Sequence, residues 1–525
     1  MPNGTARTRI SGKRWLMSAI AFLACATVPA SVLAQDTTTV AVHQVPDQVA
    51  LDLIAQLEQL NALMNTPAMD LQPNAALIET AALSAIVRST DFSTSAQDIR
   101  PATARPVEMT RFNMRLALTP LSQAFGADDN SVVIAAQTMA DGTALVIRAG
   151  DAGFAELRTA AGATAPGALT LTQPLIIMDG ASLTLNATEV VNLSRPDGAF
   201  IVNFGHLEMR GGSITTVGDA NPLSRVFVPF VTTAGAGTLN IQSGSFSGLG
   251  FGETLKFSGF SVMRSVLQIP DRASRIENAT FSGIVSVAIS GDNDLLLRGN
   301  RFHDMRGPTL ILSRTKAARV LSNVFYGQMP TNAIRLENGS AQGQIAGNVI
   351  LGGDRAGIVV RFDSPGASVS HNIIWDRDGG GIVLVTADCA RVYENLIIGN
   401  QQKGIEVRDS LTTTLRQNTI FSNESAGIWV SDQPNGATTE ITANTVSFNG
   451  AGLAGANTAS LLMDGNDFSQ QYQQFLSGDL ALLTPDVARD MRGLAPFVLA
   501  SGGQYAAQVQ TPDTTTPDNT GACSN

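Results

Sequence analysis

Two groups of residues in this chain have the types and spacing to do chemistry. His303 and Asp304 are adjacent, and an imidazole that titrates near neutrality beside a carboxylate is a candidate acid-base pair, with Glu337 a third candidate for moving a proton. The second group recurs at near-constant spacing: Arg335 and Glu337, then Arg361, then Glu406 and Arg408, then Trp429. Arginine forks pair with carboxylates at two points and tryptophan offers an apolar face to a sugar ring, so this group is predicted to bind an acidic polysaccharide. Alternating charges also serve merely to solvate a sheet, and a His-Asp pair in a turn is ordinary surface in many proteins. Asp376 and Asp378 offer oxygens to Ca²⁺. However, Arg377 stands between them and no GGxGxD repeat is present, so no metal or other cofactor is predicted. The chain contains no P-loop, nucleophile elbow, CxxC pair or HExxH.

The elements that must position these residues are legible as a repeat. An asparagine returns in similar surroundings at Asn300, Asn323, Asn348, Asn372, Asn395, Asn418, Asn444 and Asn466, with a fainter rung at Asn278. Midway between most of them comes a second signal, NAIRL, AGIVV, GGIVL, KGIEV or AGIWV. Two short alternating apolar runs per step, bounded by Gly, Asn or Asp, fit strands and not helical repeats. The pattern predicts an all-β fold, a right-handed parallel β-helix of about 11 to 12 coils with a small mixed N-terminal cap. The asparagine should sit at a turn and bond the next coil. Alternation points Ile334, Ile358, Ile382, Ile405 and Ile428 inward. Arg335, Glu337, Val359, Arg361, Val383, Val385, Glu406, Arg408, Trp429 and Ser431 then form an outward strip.

The ends read differently. Arg7 to Arg14, the apolar run from Trp15 and the small residues before Gln35 predict a secretory signal peptide over 1–34, hence a periplasmic or secreted protein, with lipoprotein processing at Cys25 as the alternative. No later run is long enough to span a bilayer. Residues 35–165 are predicted to form the cap or lead-in, including a helix over Asp47–Asn65 with Val49, Leu53, Ile54, Leu57 and Leu60 on one side. The β-helix should cover 166–478, a C-terminal cap 479–508 and a disordered tail 509–525. Cys389 and Cys523 remain after cleavage, too few and too far apart to imply a disulfide framework. A net charge of −10 argues against a nucleic-acid partner.

The segments LIIMDGASLTL, GAFIVNFGHLEMRGGSITTVG and GTLNIQSGSFSGLGF, in that order before the asparagine coils, resemble the periplasmic mannuronan C5-epimerases of alginate biosynthesis over roughly residues 144–478. The resemblance implies a polyuronate substrate and an Asp-Pro-His-Asp catalytic string after a Gly-Ile. Here Thr309 and Leu310 stand for the Gly-Ile, and Ile311, Leu312, Ser313 and Arg314 stand for the string. The arginine of the family's Ser-Arg-Glu falls near Asn338, with Arg335 close by. The sequence therefore predicts a polysaccharide-binding relative with a degenerate motif, linked to exopolysaccharide maturation or export, with a periplasmic export complex as a partner. An epimerase or lyase with a relocated site, and a non-enzymatic scaffold, are the alternatives.

Overall fold

The computed structural model describes residues 48–66, 74–81, 83, 105–114, 130–137, 142–163, 167–501 apart from 253, 266 and 473, 507–510 and 523. The predicted signal peptide, residues 1–34, lies outside the described residues, as does most of the predicted tail.

The chain winds as a right-handed parallel β-helix of about 13 coils. A regular coil has three short strands, for example Leu296–Arg298, Arg301–His303 and Leu310–Ser313. Each strand pairs in parallel with its equivalent one coil on, such as Leu310 with Ile334 and Leu312 with Leu336. Equivalent strands thus form three stacks: stack 1 contains Leu310–Ser313, stack 2 Leu296–Arg298 and stack 3 Arg301–His303. The first coil starts at Thr143–Ala152, whose Leu145–Ile147 pairs with Leu175–Ile177. The helix therefore begins about one coil before the predicted start at 166, because ALVIRAGDAG already has the strand-turn pattern of a rung.

The interior is a continuous column. Ile334, Ile358, Ile382, Ile405 and Ile428 are all fully buried, as are the stacked Phe246, Phe281, Phe302 and Phe325. Each such side chain contributes about 1.5–3 kcal/mol from burial. The asparagine ladder runs as predicted between stacks 2 and 3: Asn300 Nδ2 donates to Asn323 Oδ1 at 2.9 Å, and the same contact repeats through Asn348, Asn372, Asn395, Asn418 and Asn444 to Asn466. A second ladder, Asn400 to Asn423 to Asn449, occupies another corner. The glycine before Ile358, Ile382, Ile405 and Ile428 is required by close approach. A Cβ on Gly381 would lie 2.4 Å from Ile397 Cγ2 and 2.5 Å from the Gly404 carbonyl oxygen.

The predicted N-terminal helix forms as α1 (Gln48–Met64), followed by α2 (Asn74–Thr80). Instead of covering an open end, α1 and α2 lie along the flank of stack 3. There Leu57, Leu60, Met64 and Leu77 pack on Val324, Tyr326, Ile373, Trp375 and Phe421, whereas Val49 is exposed. Asn74 pins this arrangement, donating to the Gly299 carbonyl and accepting from Arg301. At the N-terminal end, α4 (Phe154–Ala161, following α3 at Ser131–Ala135) packs Phe154 and Leu157 against the core. At the other end Leu480, Leu483 and Val487 close the core, and Phe497–Ser501 pairs antiparallel with Ser460–Asp464.

At the chain's C-terminal side the described residues depart from expectation at two points, Val509 and Gln510 of the predicted tail and Cys523. Ala507–Gln510 is a strand paired with Phe497–Ser501, and Cys389 is disulfide-bonded to Cys523, 134 residues away. Sequence distance concealed the pair, since folding returns the chain end to the middle of the solenoid.

Candidate functional site

Stack 1 has one outer face but two halves. In its upstream half the outward residues are sealed: Ala144, Val146, Ile176, Val202, Thr232, Ser261, Ala288 and Ile311 are each at most 3% exposed. Their cover is an apolar cluster containing Val133 of α3, Phe227, Phe230, Phe251 and Phe257. Leu255–Phe257 is fixed directly on the sheet, because the Lys256 carbonyl accepts from Thr232 Oγ1 at 2.6 Å and Ser261 Oγ at 3.1 Å. Ile311 and Ser313, outward-facing by alternation, are each 3% exposed and so do not open to a groove as predicted.

The cover stops at Arg335; beyond it Arg361, Val383, Val385, Glu406, Arg408 and Trp429 are at least partly accessible, whereas Glu337, Val359 and Ser431, predicted to face outward, are buried. Arg335 donates from Nε (3.1 Å) and Nη2 (2.7 Å) to Glu337 Oε2, and Arg361 Nε donates to the same oxygen at 2.8 Å. One carboxylate thus holds two guanidiniums, leaving the group positive. Arg361 also lies 4.4 Å over the half-exposed ring of Phe362. The next rung presents Val383 and Val385. After it come Glu406, paired with Lys403 at 3.0 Å, the exposed Arg408, and Trp429, whose ring lies 4.6 Å from Lys403 Nζ. Trp429 is half-buried against Ala426, Ala451 and Ala454 and not fully exposed as predicted. At about 4.8 Å per rung, Arg361 and Arg408 stand about 10 Å apart.

A cavity of about 760 Å³ sits where covered and open halves meet. Its lining includes Ile311, Arg335 and Glu337 from stack 1, Phe251 and Leu255 from the cover, and Arg195 and Arg306 from the turn side. Three guanidiniums therefore face one carboxylate, in a molecule whose net charge is −10. Burial, and secondarily the like charge of Arg195, pulls the Arg306 guanidinium below its ordinary value.

The proton-transfer candidates are not brought together. His303 and Asp304 pair at 3.0 Å, but His303 belongs to stack 3 and stacks on Tyr326, on another side of the coil from Glu337. Asp378 accepts from Gln401, and among the described residues no group of three or more His, Cys, Asp or Glu is placed to hold a metal. Arg195, Arg306, Phe362 and Lys403 were missed by the sequence reading. Arg306 lies in a turn outside the alternating strand pattern, and nothing in the sequence links Arg195 to a coil more than a hundred residues on.

Fold and site together define the class: a right-handed parallel β-helix with a cationic groove on one face. The family model of the right handed beta helix region matches residues 282–440. Among solved structures, the chain is similar to periplasmic alginate epimerase AlgG. One substituted form shares 18% identity at a TM-score of 0.57, covering 74% of this chain and 98% of that one. A second shares 19% at 0.54, covering 72% and 91%, and the epimerase itself 17% at 0.52, covering 73% and 94%. At these identities the likeness shows the fold. No curated protein matches by sequence.

Proposed function

We propose that the protein binds an acidic polysaccharide, an alginate-like polyuronate, along the open half of stack 1, without epimerising it. The carrying observation is the concentration of Arg195, Arg306, Arg335 and Arg361 around one groove in an acidic protein. Guanidinium forks there meet uronate carboxylates, while Phe362 and Trp429 offer apolar faces to the rings. Exchange at C5 needs a base on one face of the ring and an acid on the other. The cavity offers one carboxylate, Glu337, already committed to two arginines, and Ile311 and Ser313 fill the positions where the family's string would stand. The shared fold and the signal-like N-terminus support a periplasmic or secreted role in exopolysaccharide maturation or export, with an export complex as the partner. Among the described residues no helix is long and apolar enough to cross a membrane.

Isothermal titration with oligouronates tests the reading. Arg361→Ala with Trp429→Ala should weaken binding, and undiminished binding by that double variant removes the groove assignment. The epimerase fold gives an active enzyme with a relocated site as the second reading. In deuterated water such an enzyme would exchange the C5 hydrogens of polymannuronate, and a lyase would release unsaturated ends. Neither product is expected.

A further inference from the structure

The groove is blind at one end. Along the outer face of stack 1, the last partly accessible position upstream of Arg408 and Arg361 is Arg335, with the neighbouring Glu337 and Val359 only 5% and 7% exposed. Ile311, Ala288 and Ser261, the next three positions, are at most 3% exposed. A polymer lying on this face cannot continue past Ile311, because Leu255–Phe257 already occupies the sheet.

The space at the dead end is furnished for an anion. Arg306 is anchored by Nε to the Gly283 carbonyl at 2.8 Å and by Nη2 to those of Leu249 and Gly250 at 2.8 and 2.9 Å. Arg195 is anchored in the same manner, by Nε to Phe227 at 2.8 Å and by Nη2 to Arg225 at 2.9 Å. Each is held rigidly through one edge, and neither Nη1 carries a hydrogen bond among the described residues, nor does either arginine have an ion pair there. Val228, Phe251 and Pro308 supply apolar lining beside them. Two pre-positioned donors with an apolar wall fit a single sugar ring bearing one carboxylate.

We propose that this cavity is a chain-end subsite: the protein engages the terminal uronate of a polyuronate, with the remainder of the chain extending from Arg335 towards Arg408. The proposal rests on the polysaccharide reading above and adds that the groove selects ends over internal segments. One protein should therefore bind per chain end of one kind, whatever the chain length.

The test is titration of the full chain with oligouronates of defined length, from a tetrasaccharide to a polymer several times longer. One protein per chain at every length is expected, as is competition by the free uronic acid monosaccharide, with no binding of a neutral oligosaccharide. Blocking one chain end with a bulky group should weaken binding about tenfold or more, and blocking the other should leave it unchanged. Arg195→Gln should lower tetrasaccharide affinity about tenfold. Val226→Glu, at an exposed position on the cavity wall, should act in the same direction without disturbing the fold, as melting midpoints will show. If long chains take up proteins in proportion to their length, the end subsite is wrong while the polysaccharide reading stands. If no oligouronate of any length binds, both fall.

Discussion

The solenoid builds the same charged device twice. On stack 1, Arg335 and Glu337 lie two apart on one strand and Arg361 reaches in from the next. On stack 2, Arg275 Nε donates to Glu277 at 3.1 Å and Arg298 Nε, from the next strand, at 2.9 Å. The carboxylates are equally sheltered, Glu337 being 5% and Glu277 8% exposed. Glu337 holds both arginines through Oε2 and Glu277 one through each oxygen, but the larger difference is in the surroundings. Glu277 belongs to a simple outer strand face, whereas Glu337 borders a walled cavity with Arg195 and Arg306 opposite. An arginine-glutamate cluster on a sheet is therefore no evidence of a binding site. What distinguishes the first is excess positive charge in a concave place.

The largest effect that would break this comparison is on binding. Arg335→Ala with Arg361→Ala should reduce oligouronate affinity about a hundredfold, two charge-assisted contacts being lost, while Arg275→Ala with Arg298→Ala should leave titration unchanged. Equal losses would make the clusters equivalent. Next, Glu337→Gln and Glu277→Gln should each cost about 1–2 kcal/mol in denaturant unfolding, because each leaves two guanidiniums without their shared carboxylate. Only Glu337→Gln should also raise affinity, by several-fold, since it releases Arg335 and Arg361 to the ligand. A smaller effect is expected from salt. Raising it from about 50 to 200 mM should weaken oligouronate binding several-fold through screening, with little change in the melting midpoint.

The smallest effect uses a third carboxylate as a yardstick. Arg105, through its side chain and its backbone N–H, together with Ser182, holds Asp151 well below the usual carboxylate range. A carboxylate depressed in the folded state stabilises it above its unfolded value, about 4, and loses that contribution as pH falls further. Arg105 is half-exposed, so the contribution is under about 1 kcal/mol. Asp151→Asn should flatten the fall in melting midpoint below about pH 4 by that amount.

Much of the fold was legible because the solenoid is local and periodic: Asn323 and Asn348 announce their turns, and Ile358 and Ile382 their inward positions. The site was half legible. Alternation put Arg335, Arg361 and Arg408 on one outer face, but it cannot report what lies above that face. The segments carrying Val226, Phe251 and Leu255 have no repeat, and their docking over Thr232 and Ser261 depends on side-chain fit. The same limit hid the position of α1, whose apolar stripe was clear while its platform was not. It also hid the Cys389–Cys523 bond, which joins residues no local pattern relates.

That helix has a consequence in time. Asn74 meets Gly299 across 225 residues of chain, and the surface that receives Leu57 and Leu60 is completed only when Phe421 is in place. Synthesis delivers α1 long before its seat exists, so its apolar stripe must wait while rung after rung is laid down. Such non-local closure is slow. Docking of α1 is thus a late folding event, and protection of its amides would serve as a clock for completion of the coils it covers.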